Sequence, residues 1–169
     1  PNDWNDRLSD LMAERPNICN HLHLPFQAGS NRILELMERG HVIEAYLDKI
    51  RYMKRINPAI EITTDVIVGF PTETEEEFQA TLRVIEEVGY SQIFPFKYSE
   101  RPKTKAARKL ADDIPHVVKQ DRLARLIALQ ERINAARQAA FVGTVQRVLI
   151  DGASPKERGV MNGRSDGYR

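Results

Sequence analysis

Cysteine is almost missing here. Cys19 is the single thiol in 169 residues, which excludes an internal disulfide framework and is compatible with a reducing compartment. Long apolar runs are missing too: none approaches the roughly 18 residues that a membrane-spanning helix needs. No signal-peptide pattern opens the chain. These absences set the expectation of a cytoplasmic protein with no membrane partner. Internal repeats and low-complexity tracts are also lacking. The chain starts at Pro1 rather than at methionine and stops on "GRSDGYR" with no helix or turn to close it. The expectation is a segment of a longer chain.

What is present is ordinary for a globular protein. Hydrophobic residues make up 41% and charged residues 29%, enough at this length to bury one sizeable core with a small appendage. The net charge of +1 conceals an asymmetry. Residues 1–100 hold 10 basic and 17 acidic side chains, whereas residues 101–169 hold 15 and 7. A basic tail on an acidic body suggests a polyanionic partner, although a solvated surface gives the same count.

Trp4, Leu8, Leu11 and Met12 predict a helix over 3–14 that Pro16 ends. "CNHLHLPF" alternates, with Leu22, Leu24 and Phe26 on one face and His21 and His23 on the other. Ser30 caps a helix that Gly40 stops, and a second helix covers about 42–56. Residues 60–69, "IEITTDVIVG", are β-branched and strand-like. A capping box of Thr74 and Glu77 opens helix 74–88, and strand 91–98 follows the Gly89 break. This alternation predicts a parallel α/β sheet with right-handed crossovers, either open or lacking some strands of a barrel. A long helix covers about 116–141, with Leu123, Leu126, Ile127 and Ile133 on one face flanked by Arg122, Arg125 and Arg132. "TVQRVLIDGA" then reads as a strand running into an Asp-Gly turn, the first sign of a small β domain.

Ligands of such sheets gather at the C-terminal strand ends, here "PFQAGS", "GFPTE" and "KYSERP". In "DVIVGFPTETEEEF" the side chains of Asp65, Ile67 and Gly69 share one face and Val66 and Val68 the other. The valines should lie under helices. Ile67 offers a ring an apolar platform, and Gly69 allows a flat ligand to approach the backbone. No phosphate loop of the G-x-x-x-x-G-K-[ST] type is present, and Glu73, Glu75, Glu76 and Glu77 crowd the turn instead. Those acids suit a helix N-terminus and disfavour a phosphate. A neutral or cationic ligand with an aromatic ring fits better. Gln27 reaches the same mouth with an amide that donates and accepts. Cys19, His21 and His23 share a strand face, but ligands at i, i+2 and i+4 of one strand point in parallel and converge poorly on one ion, so plain polar interior residues are the better reading.

Four stretches come in a recognisable order and spacing: "HLHLPFQAGSNRILELMERG", "TTDVIVGFPTETEEEF", "FPFKYSERPKTKAA" and "KQDRLARLIALQERI". Through them nearly the whole chain resembles the radical S-adenosylmethionine (SAM) methylthiotransferases, in particular the tRNA-2-methylthio-N6-dimethylallyladenosine synthase branch (MiaB type). "VLIDGASPKERGVMNGRSDGYR" resembles the opening of the TRAM domain, a small RNA-binding β-barrel of that family. The resemblance implies that residues 1–142 are the C-terminal half of a partial, TIM-like (β/α)6 barrel, with strands four to six at about 20–26, 60–69 and 91–98. Residues 143–169 would begin the TRAM domain.

The resemblance further implies that the barrel mouth holds S-adenosylmethionine. The family pattern G-x-I-x-G-x-x-x-E falls on Asp65, Ile67, Gly69 and Glu73, with Asp65 in place of the first glycine. Ile67 would touch the adenine and Gln27 the adenosyl or methionine portion, with Ser30, Asp65, Gly69 and Tyr98 completing the cofactor set. The family reaction cleaves SAM at a 4Fe–4S cluster and inserts a methylthio group at C2 of an isopentenylated adenosine beside the tRNA anticodon. A second cluster supplies or carries the sulfur, and sulfur-donor and electron-donor proteins are implied partners. Clusters need cysteine thiolates, and the C-x-x-x-C-x-x-C loop is not in this chain. No catalytic residue and no metal ligand is therefore assigned here, and the chain alone would not be active. Thr72 stands where the family usually has glycine, so that turn is expected to be tighter or shifted; Lys103, Lys105 and Ala28 depart as well.

The RNA-facing set is Arg101, Lys103, Lys105, Arg147, Lys156, Arg158 and Arg164, whose charge would neutralise phosphates. Phe96 and Tyr98 could stack on a base, although strand aromatics are more often core. Relatives of the same fold act on threonylcarbamoyl-adenosine of tRNA or on a ribosomal-protein aspartate. A non-catalytic RNA-binding α/β protein is the alternative of a different class.

Overall fold

The computed structural model describes residues 4–102 and 104–165. Helix α1 (Asp6–Glu14) is capped by the Asn5 side chain, which accepts the Leu8 N–H. Strand β1 (His21–His23) follows, then helices α2 (Asn31–Leu36) and α3 (Ile43–Ile56), strand β2 (Glu61–Val68), helix α4 (Glu75–Val88) and strand β3 (Gln92–Lys97). The three strands are parallel in the order β1-β2-β3, as the alternation of elements predicts. A short helix α5 (Lys105–Lys109) and a long helix α6 (His116–Ala139) lead to an antiparallel hairpin of β4 (Val148–Ala153) and β5 (Met161–Ser165). Among the described residues no helix is long and apolar enough to cross a membrane.

The two faces of β2 have different fates. Thr64, Val66 and Val68 are completely buried, together with Phe26, Ile33, Leu34, Phe78, Ile85 and Leu126. Burial of each valine side chain contributes about 1.5–3 kcal/mol. The opposite face pairs Asp65 with Phe94 and Ile67 with Phe96 across β2 and β3. Those four stay half-buried or exposed, Phe96 at 52%.

β1 is shorter than its sequence pattern because Pro25 has no N–H to give to the ladder. The Thr64 hydroxyl repairs the gap: it donates to the Leu24 carbonyl and accepts the Phe26 N–H, at 3.0 and 3.1 Å. Below, the Tyr46 hydroxyl reaches the Leu24 carbonyl at 2.8 Å and the Tyr90 hydroxyl at 2.9 Å, and burial raises the pKa of both phenols. Phe26 stacks on Tyr90 with 4° between ring planes.

The predicted amphipathic face of α6 needs correction. Leu126 and Leu129 are buried, but so are Lys119, Arg122 and Gln130, whereas Ile127 is exposed. Arg122 was expected to flank the apolar stripe and instead lies within it. Its guanidinium meets the buried Glu73 carboxylate at 2.8 Å, and Glu73 in turn accepts the Gly69 N–H at 2.7 Å. Gly69, at φ +69°, ends β2. A β-carbon built there would sit 2.4 Å from Lys119 Cγ. The glycine is thus required by helix packing and by backbone conformation together.

Other boundaries shift for local reasons. α2 stops at Leu36 rather than near Gly40, because Glu38 takes the left-handed position at φ +56° and the Arg39 N–H closes back on the Leu34 carbonyl. Asp151-Gly152 is not the hairpin turn. It lies inside β4, where Asp151 is an extra residue in a bulge and Gly152 takes φ +136°. The predicted first helix begins at Asp3, which lies outside the described residues, as does the predicted tail beyond Ser165.

Glu77 joins the starts of α2 and α4. It completes the capping box with Thr74, accepts Ser30 Oγ at 2.8 Å, and is bridged by Arg32 at 2.6 and 2.8 Å. The Arg32 hydrogen bond, more than any other contact, holds its carboxyl at about 2, below the usual 4.5. A depressed carboxyl contributes stability in full above its unfolded value and loses it as pH falls through the folded one. Urea unfolding is therefore expected to show stability declining between about pH 4.5 and 2, with a shallower decline in Glu77→Gln; equal slopes would remove Glu77 from the acid limb. Gly69→Ala is expected to lower the unfolding free energy by about 2–3 kcal/mol, from left-handed strain and overlap with Lys119. Urea unfolding at neutral pH checks it, and an unchanged midpoint would mean the lysine stem moves aside freely.

Candidate functional site

A cleft of about 520 Å³ opens where β2 and β3 end and the chain leaves β1. Gln27 enters it from the turn after β1. Its N–H bonds the Asp65 carbonyl at 3.1 Å and its carbonyl accepts the Ile67 N–H at 2.9 Å, so one residue at φ +71° is clipped to β2 from both sides. Gln27 lines the cleft and is otherwise buried, at 5% exposure. Asp65 and Ile67 line it from β2, Phe96 from β3, and Phe70 and Tyr98 from the segments just beyond the strands. Phe70 and Tyr98 meet edge to face, 5.1 Å between centroids. The lining is therefore aromatic and aliphatic at Ile67, Phe70, Phe96 and Tyr98, with a carboxamide residue and a carboxylate residue beside it at Gln27 and Asp65.

Asp65 is steadied from β1. His23 Nε2 lies 3.4 Å from its Oδ1, while His23 Nδ1 and His21 Nε2 both meet the Thr63 hydroxyl, at 2.9 and 3.1 Å. Burial lowers the His21 pKa. The two rings share one hydroxyl, and Cys19 is exposed ahead of β1, at the end away from the cleft. Among the described residues no group of three His, Cys, Asp or Glu is arranged to hold a metal ion.

Of the six residues expected around a cofactor, Gln27, Asp65, Ile67 and Tyr98 share the cleft. Ser30 and Gly69 do not line it. Ser30 caps α2 and donates to Glu77. Gly69 turns towards Lys119, so a close approach that its missing side chain permits is made by a residue of α6. Glu73, also carried in the motif, is a buried anchor; desolvation raises its pKa against the pull of the Gly69 N–H and Arg122. The turn at Thr72 is held by two side chains. It keeps a left-handed φ of +67°, with its N–H on Asp113 and its carbonyl held by Arg32.

The expected RNA-facing residues fall into two groups. Arg101 and Lys105 line the cleft mouth, where Lys105 reaches Glu38 at 3.0 Å. Lys103 lies outside the described residues. Arg147, Lys156, Arg158 and Arg164 are exposed in and around the hairpin, with Arg164 paired to Asp151 at 2.8 Å. Arg147 borders a separate hollow with Glu61 and Arg137. The cleft residues that sequence reasoning missed include Phe70 and, from the end of α2 and just after it, Leu36, Met37 and Arg39; it also missed Lys119, behind the wall. The available signal was spacing: Lys119, Arg122, Leu126, Leu129 and Ile133 fall on one arc of α6.

The sequence profile described as the Radical SAM superfamily matches residues 2–85. The chain is 51% identical over its full length to the tRNA-2-methylthio-N(6)-dimethylallyladenosine synthase of Geotalea uraniireducens, and 47% identical to that of Chlorobium chlorochromatii. It spans 38% of the length of each. Among solved structures, the radical SAM enzyme coproporphyrinogen III oxidase (HemN) of Escherichia coli superposes with a TM-score of 0.63 over 78% of this chain and 30% of its own, at 24% identity, a likeness of fold. With its three parallel strands and helices as part of a TIM-like barrel, the chain belongs to the radical SAM superfamily, within the methylthiotransferase family.

Proposed function

We propose that this chain supplies part of the S-adenosylmethionine site and the RNA-facing end of a tRNA methylthiotransferase. The full-length protein would insert a methylthio group at C2 of an N6-dimethylallylated adenosine, as the names of the relatives describe for them. Residues 1–142 are the C-terminal part of the radical SAM domain, and residues 143–169 begin a TRAM-like barrel. One observation carries the reading: Gln27, Asp65, Ile67 and Tyr98, from three separate chain segments, converge on one cleft.

The cleft fits the cofactor. Its volume of about 520 Å³ lies within the usual range for small-molecule sites. Ile67, Phe70, Phe96 and Tyr98 offer a ring an apolar surface and exclude water from it. Gln27 can donate to and accept from a heteroatom at the ring edge. The Asp65 carboxylate, steadied by His23, suits a cationic sulfonium or ammonium group. When bound, SAM supplies the hydrogen-abstracting chemistry of the superfamily. Superfamily membership implies an iron–sulfur cluster as well, but the residues present do not fit one: a lone exposed thiol at the far end of β1 is no ligand set. Two clusters, their ligands, and sulfur- and electron-donor proteins belong to the full-length enzyme in this reading, which would work in the cytoplasm.

The RNA role rests on charge and position. Arg101 and Lys105 at the cleft mouth would receive backbone phosphates close to the reacting base, and Lys156 and Arg158 would hold the nucleic acid further away.

Ile67→Arg in the full-length protein is expected to weaken S-adenosylmethionine binding at least tenfold in equilibrium dialysis, because a guanidinium replaces the ring platform and repels a cation. Binding equal to wild type would move the cofactor site elsewhere. The double variant Lys156→Glu/Arg158→Glu is expected to lower tRNA affinity and to flatten the plot of log K against log salt by about 1.5, the release of two phosphate contacts. An unchanged slope in filter binding would take the hairpin out of RNA recognition.

A further inference from the structure

We propose that Lys119 is a positioning residue for the cofactor cleft: from α6, behind the wall, it fixes Tyr98 by holding that residue's backbone carbonyl. The proposal rests on the reading of the cleft as the S-adenosylmethionine site.

Lys119 is 4% exposed, an unusual environment for an ammonium group. A residue needed only to fill space there would be apolar, since burial of a charge carries a desolvation cost that packing alone does not. The head group is instead fully engaged. Both Asp112 carboxylate oxygens meet it, at 2.5 and 2.7 Å, and compensate its charge. The Tyr98 carbonyl accepts from it at 3.3 Å, and the ammonium lies 5.2 Å from the centre of the Tyr98 ring.

Tyr98 needs such a partner. It follows the last residue of β3 and keeps one backbone bond to the sheet, its N–H to the Val68 carbonyl at 2.9 Å. Beyond it the chain leaves the ladder through Ser99 and Glu100, so among the described residues no strand N–H donates to the Tyr98 carbonyl. Lys119 takes the place of the missing strand. Its ammonium also faces the ring, which in turn packs edge to face on Phe70, and both aromatics line the cleft. The lysine stem meanwhile crosses Gly69. A single side chain of α6 therefore touches the ends of β2 and β3 without lining the cleft.

The test uses the full-length protein, purified without oxygen, with S-adenosylhomocysteine as the probe in equilibrium dialysis. Three variants are compared at a temperature where circular dichroism shows each to be folded. Lys119→Met keeps the Cβ–Cγ stem over Gly69 and deletes the cation; the dissociation constant is expected to rise about tenfold. Asp112→Asn leaves the lysine but weakens its anchor, with an expected rise of about threefold. Lys119→Arg restores a cation on the same stem and is expected to bind within about twofold of wild type, a rescue that a general loss of packing would not give. The proposal is overturned if Lys119→Met binds like wild type, or if Lys119→Arg is as weak as Lys119→Met. Ile67→Arg separates the two levels. Weak binding by Ile67→Arg beside normal binding by Lys119→Met rejects the positioning role alone, whereas normal binding by both rejects the cleft itself.

Discussion

The buried contact between Arg122 and Glu73 is the constraint on which the rest of the site depends. Their side chains are 5% and 1% exposed, and Nη1 lies 2.8 Å from Oε2. The same carboxylate oxygen accepts the Gly69 N–H, and Arg122 also reaches the Glu73 carbonyl at 3.1 Å. An ion pair so placed is a poor source of net stability, since desolvation offsets most of the attraction. Its effect is on register. If α6 slid along the sheet by one residue, a buried charge would lose its partner, at a cost of about 3–5 kcal/mol. The turn after β2 and the long helix are thereby locked in one relative position. Phe78 supports the lock from α4, with the Arg122 and Arg125 guanidinium groups 5.6 and 4.8 Å from its ring centre.

That lock explains why one sheet can have such unlike faces. Helix packing consumes the valine side of β2 completely. The other side keeps polar and aromatic groups within reach of solvent, at the strand ends where parallel sheets place their ligands. Rigidity comes from the first face and chemistry from the second. The division also accounts for the histidines of β1, which brace Thr63 and Asp65 across the open face and are not themselves placed in the cleft wall.

Much of this was legible in the sequence. Capping-box spacing at Thr74 and Glu77 placed α4, and the alternation of Asp65, Val66, Ile67 and Val68 assigned the two faces of β2. These are local signals, set within a few residues. What was not legible is set by partners far along the chain. Glu73 looks like one more acid of a helix N-terminus until Arg122, 49 residues later, is placed against it. Gly69 looks like an opening for a ligand until Lys119 fills the space. Ser30, expected at the cofactor, lies outside the cleft lining and performs the capping role visible in its position. Glu38 ends α2 in a left-handed conformation that sequence reasoning reserves for glycine, and here reserved for Gly40.

Thr72 shows how far that tertiary control extends. A β-branched residue at φ +67° is strained on its own. It is held by Arg32, which bonds both its hydroxyl and its carbonyl, and by Asp113, which accepts its N–H at 2.7 Å. The neighbouring Asp112 anchors Lys119, and through it Tyr98. Two adjacent aspartates just ahead of α6 thus act on the two segments that follow the strands, one on the turn after β2 and one, through Lys119, on the end of β3. The strands themselves end at Val68 and Lys97. The segment that delivers the chain into α6 is thereby tied to the turn after β2 and to the end of β3, and the same segment leads into the helix that carries Arg122.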